Sequence, residues 1–183
     1  MSRPLAILLL VAGLVLGLVP PAGAALPPES EWRHDVRQAM SGSRTYVAAR
    51  VDGTRGLAVN LDIDNTSLAT QYGGDRAVFV VRRFADFAAA RGVAVLFNTG
   101  RVRGNGRMVH VAGRLRAAGF TVTAICGRAS SEEGLSHSKQ RCRQRFVRHG
   151  YTIIANVGNR STDFTGGNYE RAFRLRNYGN QLD

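Results

Sequence analysis

Four short apolar runs, each closed by polar residues and separated by helix-length segments, restrict what this chain can fold into. The first is Gly56-Leu57-Ala58-Val59-Asn60-Leu61, continuing to Ile63; the others span 93–98, 120–125 and 151–157. Runs of this length bounded by Gly and polar residues read as buried strands. Between them lie amphipathic stretches of a dozen residues or so. Asp75 is positioned to cap a helix through Arg91, with Val78, Val81, Phe84, Phe87 and Ala88 on one face. Tyr72 to Asp75 reads as the turn before it. Further helices are expected over 108–118 and 136–149, and Gly92, Gly119 and Gly150 stop the three. Upstream, 31–50 reads as one or two helices broken near Ser41-Gly42-Ser43. Downstream, a short helix over 167–171 and a last strand over 172–175 are expected. Strands alternating with helices imply an α/β fold, a parallel sheet with helices on both faces.

In such sheets ligands bind beyond the carboxyl ends of the strands. The residues there are Asp62, Asp64 and Thr66 after the first run, Asn98, Thr99, Gly100 and Arg101 after the second, and Gly158 to Asp163 after the fourth. Two carboxylates two positions apart at the end of a hydrophobic strand are costly unless a cation or charged reactant balances them. Arg101 and Arg103 follow the second run and could contact a ligand, though solvation is the commoner fate of such charges; His110 and His137 could also touch one, but isolated histidines are mostly surface residues.

Met1 to Ala24 has the layout of a secretory signal peptide: Arg3, an apolar stretch from Leu5 to Val19, then Pro20-Pro21 and Ala22-Gly23-Ala24. The 15 apolar residues from 5 to 19 fall short of the roughly 20 needed to span a bilayer. Cleavage after Ala24 leaves residues 25–183 as a single domain of ordinary size, secreted or held in the cell envelope, with no transmembrane span. The net charge of +12 suits anionic partners. Its scatter, without a basic tail or interleaved aromatics, argues against dedicated nucleic-acid binding. Cys126 and Cys142 either form a disulfide, worth roughly 3 kcal/mol for a loop of that length, or remain two thiols. A cysteine nucleophile is not indicated.

Taken in order, these residues resemble the haloacid dehalogenase (HAD) superfamily of phosphohydrolases, and within it the secreted acid phosphatases of subfamily IIIB. Asp62, Asp64 and Thr66 match the D-x-D-x-T motif. Thr99, within Phe97-Asn98-Thr99-Gly100-Arg101, matches the second motif, and Lys139 the third. Gly158-Asn159-Arg160-Ser161-Thr162-Asp163 matches G-D-x-x-x-D with Asn159 in place of the first Asp. Arg174-Leu175-Arg176-Asn177-Tyr178 resembles the K-L-P-N-Y ending without its proline.

The resemblance implies a Rossmann-like HAD fold and an Mg²⁺-dependent phosphomonoesterase. Asp62 would be the nucleophile and Asp64 the general acid and base. Thr99 and the amides of residues 63–65 would hold phosphoryl oxygens, and Lys139 would balance charge. Asp62, the Asp64 carbonyl, Asn159 and Asp163 would serve the metal; an amide oxygen can ligate Mg²⁺ but brings no charge. Lys139 is the one lysine among 25 basic residues. Thr99 follows Thr66 by 33 positions and Lys139 follows Thr99 by 40, which leaves no room for a large cap domain. Small phosphate esters, nucleotides among them, are the implied substrates, and no oligomeric state is implied. The charge and Asn159 also admit a non-catalytic binder of phosphorylated ligands.

Overall fold

A computed structural model describes residues 26–182; the expected leader peptide lies outside them. Five strands form one parallel sheet: β1 (Leu57–Leu61), β2 (Ala94–Val102), β3 (Ala124–Arg128), β4 (Thr152–Gly158) and β5 (Arg171–Arg174). Their order is β3-β2-β1-β4-β5. The helices are α1 (Glu29–Ala39), α2 (Ser43–Arg50), α3 (Thr70–Gly73), α4 (Phe79–Ala89), α5 (Arg107–Ala117) and α6 (Leu135–Arg148).

Side chains alternate across a strand, and the two sheet faces have separate partners. Leu57, Val59, Leu61, Val95 and Phe97 pack with Trp32 and Val36 of α1, Val47 of α2, Val81, Phe84 and Ala88 of α4, and Val111 and Leu115 of α5. Ala58, Leu96 and Ile153 face the other way, onto Cys142 and Phe146 of α6. Cys126 and Cys142 are joined by a disulfide that ties β3 to α6. Only α3 lies between β1 and α4, and only α5 between β2 and β3, so no large cap is inserted there. None of the described helices is long and apolar enough to cross a membrane.

Several elements differ from the sequence expectation. Residues 70–73 form a helical turn, because Asn65 Oδ1 accepts hydrogen bonds from Thr70 Oγ1 and Gln71 N and caps it from outside. Asp75 caps nothing: α4 begins at Phe79 after Val78, and Asp75 instead pairs with Arg114 of α5. Strand β2 runs on to Val102, which pairs with Arg128 after a shift in register. Gly127 permits that approach, since a Cβ there would lie 2.5 Å from the Arg101 carbonyl oxygen. Strand β3 starts at Ala124 rather than Phe120; Phe120 packs edge-on against Phe97 instead, with ring centroids 5.6 Å apart. No helix forms over 167–171. A 3₁₀ turn covers Ser161–Asp163, and the buried Arg143 guanidinium donates to the carbonyls of Asp163, Thr165 and Gly167, holding that segment as a loop.

Candidate active site

The carboxyl ends of β1, β2 and β4, with α6 laid across them, bound a cavity of about 230 Å³. Asp62, Asp64, Gly100, Arg101, Arg128, Leu135, Lys139, Arg160 and Thr162 line it. Asp62 follows β1 directly, and its amide donates to Val157 O of β4 at 2.9 Å. Its carbonyl accepts from the Ser67 hydroxyl at 2.6 Å. The chain then turns sharply, with the amides of Ser67 and Leu68 both on Ile63 O. Asn65 adopts a left-handed φ of 54° at this turn, a conformation that asparagine tolerates better than most residues.

Lys139 reaches down from α6 between two carboxylates. Its ammonium donates to Asp62 Oδ1 and to the Asn98 carbonyl, and pairs with Asp163 Oδ1 at 2.6 Å. The three charged side chains are almost wholly buried. Burial pulls the lysine toward neutrality, but the charges of Asp163 and Asp62 outweigh it and raise its pKa. Burial pushes Asp62 up to about 7, the Asp163 charge adds to that, and Lys139 opposes it. Two carboxylates share one ammonium, and the second negative charge is poorly compensated.

Asparagines hold this triad. Asn98 Nδ2 donates to Lys139 O while Lys139 Nζ donates to Asn98 O. Asn60 donates to Asn156 Oδ1 at 2.6 Å, and Asn156 donates to Asp163 O at 2.9 Å. Asn60, Asn98 and Asn156 thus face α6 from three adjacent strands. Sequence reasoning placed Asn98 at the ligand-binding edge but gave Asn60 and Asn156 no role, although the same amide recurring near the end of three apolar runs was a visible signal. Asp163 also accepts from Arg160 N at 3.0 Å. Gly158 makes room for it, since a Cβ there would lie 2.3 Å from Asp163 Oδ2.

Asp64 points into the same cavity but has a different partner. Arg101 grips it with both prongs, Nε to Oδ2 at 3.0 Å and Nη2 to Oδ1 at 2.6 Å. Arg101, expected to be a solvated surface charge, is therefore part of the site; its partner 37 residues away could not be read from local pattern. The Thr99 hydroxyl is fully buried, is not among the groups lining the cavity, and accepts from Arg101 N at 3.2 Å. Its own proton stays available to an oxygen beside it.

Asn159 is buried and does not line the cavity. Its Oδ1 accepts from Thr66 Oγ1 at 3.3 Å. Its Nδ2 donates to Asn177 Oδ1 and to Leu182 O, an acceptor shared with Asn65 Nδ2. No group of three or more His, Cys, Asp or Glu able to hold a metal occurs among the described residues. The donors on offer are the Asp62 carboxylate, the Asp64 carbonyl and the Asn159 amide oxygen, which the chain's last turn anchors from its nitrogen side. Asp163 uses both carboxylate oxygens on Lys139 and Arg160. This all-oxygen set fits a hard cation such as Mg²⁺, with less negative charge than a carboxylate at position 159 would bring.

The family model described as HAD superfamily, subfamily IIIB (acid phosphatase) matches residues 69–181, more than half of the chain. The chain belongs to that family. The matched span contains Thr99, Lys139, Asn159 and Asp163; Asp62 and Asp64 lie just before it, brought to the same cavity by β1. Membership of the subfamily IIIB acid phosphatases agrees with the five-stranded parallel sheet and supports phosphatase function. No curated protein matches the chain closely enough to count as a relative.

Proposed function

We propose that the protein is an exported phosphomonoesterase that works through an aspartyl-phosphate on Asp62. The observation that carries this reading is the convergence of Asp62, Asp64, Lys139 and Arg101 on one cavity at the sheet's carboxyl edge. A phosphate monoester is a dianion, and phosphoryl transfer depends on positioning and charge neutralisation. Arg101, Arg128, Arg160 and Lys139 surround the space with positive charge. Asp62 attacks phosphorus, and the P–O bond to the leaving group breaks. Asp64 gives that oxygen a proton, then takes one from the water that cleaves the acyl-phosphate. Asp64 must loosen one of its two bonds to Arg101 to do so. Thr99, buried off the cavity, accepts from the Arg101 amide and so positions that residue. Lys139 opposes the burial that raises the Asp62 pKa and so favours the ionised nucleophile, and Asp163 positions Lys139.

Asp62, the Asp64 carbonyl and Asn159 would hold Mg²⁺. Once bound, the ion supplies positive charge against the phosphoryl oxygens. Small phosphate esters, nucleotides included, are the proposed substrates.

Hydrolysis of an aryl phosphate with Mg²⁺ tests the reading. Asp62→Asn, nearly isosteric, is expected to abolish turnover while leaving the circular dichroism spectrum unchanged; retained turnover would reject Asp62 as nucleophile. Asn159 favours one competing reading, a non-catalytic binder of phosphorylated ligands. Calorimetric binding of a phosphate ester without any turnover by the wild-type protein would select it.

A further inference from the structure

A second cavity, of about 650 Å³, opens beside the catalytic one and shares Arg101 with it. Val102, Met108 and Val111 supply apolar wall, and Arg107 and His110 add polar side chains. Its volume falls within the range that takes a ligand the size of a nucleoside or larger. No carboxylate lines it.

Arg107 and His110 lie three positions apart on α5 and so share one face of the helix. Both side chains are exposed, and neither makes an ion pair with a described residue. Arg114, further along the same helix, is by contrast paired with Asp75. Arg101 is already held by Asp64. The groove therefore offers a guanidinium and an imidazole, uncommitted and beyond an apolar wall, next to the point where a phosphoryl group would react.

We propose that this groove is the leaving-group subsite, and that it selects esters whose leaving group has an apolar or aromatic body and carries a second anionic group. The inference rests on the phosphatase reading above and adds the substrate class to it. A phosphoryl group held at Asp62 sends its ester oxygen toward Asp64 and Arg101. The body of the leaving group then lies on Val102, Met108 and Val111, and its distal anion meets Arg107 and His110. A nucleoside 3′,5′-bisphosphate has this layout, whereas a nucleoside 5′-monophosphate lacks the distal charge.

The test compares those two compounds and an aryl phosphate on the wild type and on an Arg107→Ser, His110→Gln double variant. The wild type is expected to favour the bisphosphate over the monophosphate by about tenfold or more in kcat/KM, the scale of one charge-assisted contact. The double variant is expected to lose that preference, mainly through KM. Equal handling of both compounds by the wild type, or an undiminished preference in the variant, overturns the inference.

Calorimetry on Asp62→Asn separates this outcome from failure of the phosphatase reading. Tighter binding of the bisphosphate, lost when the two α5 substitutions are added, supports the groove even if the wild type turns over nothing. Equal binding of the two compounds rejects the groove even if turnover is rapid.

Discussion

The residue that sets the electrostatics of the site is Lys139, a single ammonium between two buried carboxylates. Removing one partner of a buried charge cluster leaves the others uncompensated, at a cost of about 3–5 kcal/mol. Lys139→Met is therefore expected to lower the urea midpoint substantially as well as to remove turnover. The carboxyl of Asp62 gives a second prediction. In the unfolded chain it titrates near 3.8, and burial raises it to about 7 in the fold. Between those values the native state holds a proton that the unfolded chain has released. The stability this group contributes is present at the acidic end and is lost as pH rises through about 7. In chelator, melting temperatures of the wild type relative to Asp62→Asn should fall between pH 5 and pH 8; a constant difference would contradict the shifted titration. Asp62, Asp64, Thr99 and Lys139 could be read as candidates because each follows a recognisable strand or lies on a recognisable helix. Arg101 and Asn98 could be placed at the sheet's carboxyl edge but not given partners, and Asn60 and Asn156 had no assigned role, because those partners are set by sheet order and by the placement of α6.

At the scale of elements, β1, β2 and β4 were legible because buried parallel strands are nearly continuous apolar runs. Their ends were less so. Strand β2 continues through Thr99-Gly100-Arg101 because Arg128 supplies a backbone partner, and hydrogen-bonded main chain leaves no mark on side-chain pattern. The α4 start was misread because Asp75 has the chemistry of a cap, while the structure uses it as the counter-ion of Arg114. Helix α6 joins the site to the sheet. Lys139 lies one turn before Cys142, whose disulfide to Cys126 fastens that helix to β3. Closing a loop of this length stabilises by roughly 3 kcal/mol in the chain-entropy account. A Cys126→Ser, Cys142→Ser variant should lose stability on that order in guanidinium titration. Its kcat should fall more than its KM rises, because Lys139 loses registration while the rim arginines remain. An unchanged kcat would show that the remaining packing and polar contacts of α6 hold Lys139 in place without the disulfide.

For the whole molecule, sheet order gathers the site. Placing β1 between β2 and β4 puts residues 62–64, 99–101 and 159–163 side by side although they are scattered between positions 62 and 163 of the chain. The alternation of strand and helix made that topology legible; the K-L-P-N-Y-like ending marked Asn177, but not that it and Leu182 would hold the Asn159 amide. Export is a proposal at this same scale. If Met1 to Ala24 is a cleaved leader, N-terminal sequencing of protein recovered outside the cytoplasm should begin at Ala25, and recovery of the uncleaved chain there would refute it.

Of 25 basic residues, 24 are arginines, and the one lysine is walled in beneath α6 with its side chain 3% exposed. The folded surface therefore carries guanidinium and almost no primary amine. Apart from the α-amino terminus, an amine-acylating reagent has a single lysine to find, and that ammonium must leave Asp62 and Asp163 to react. Acylation of Lys139 over time becomes a clock for the release of its ion pairs, read at one known atom.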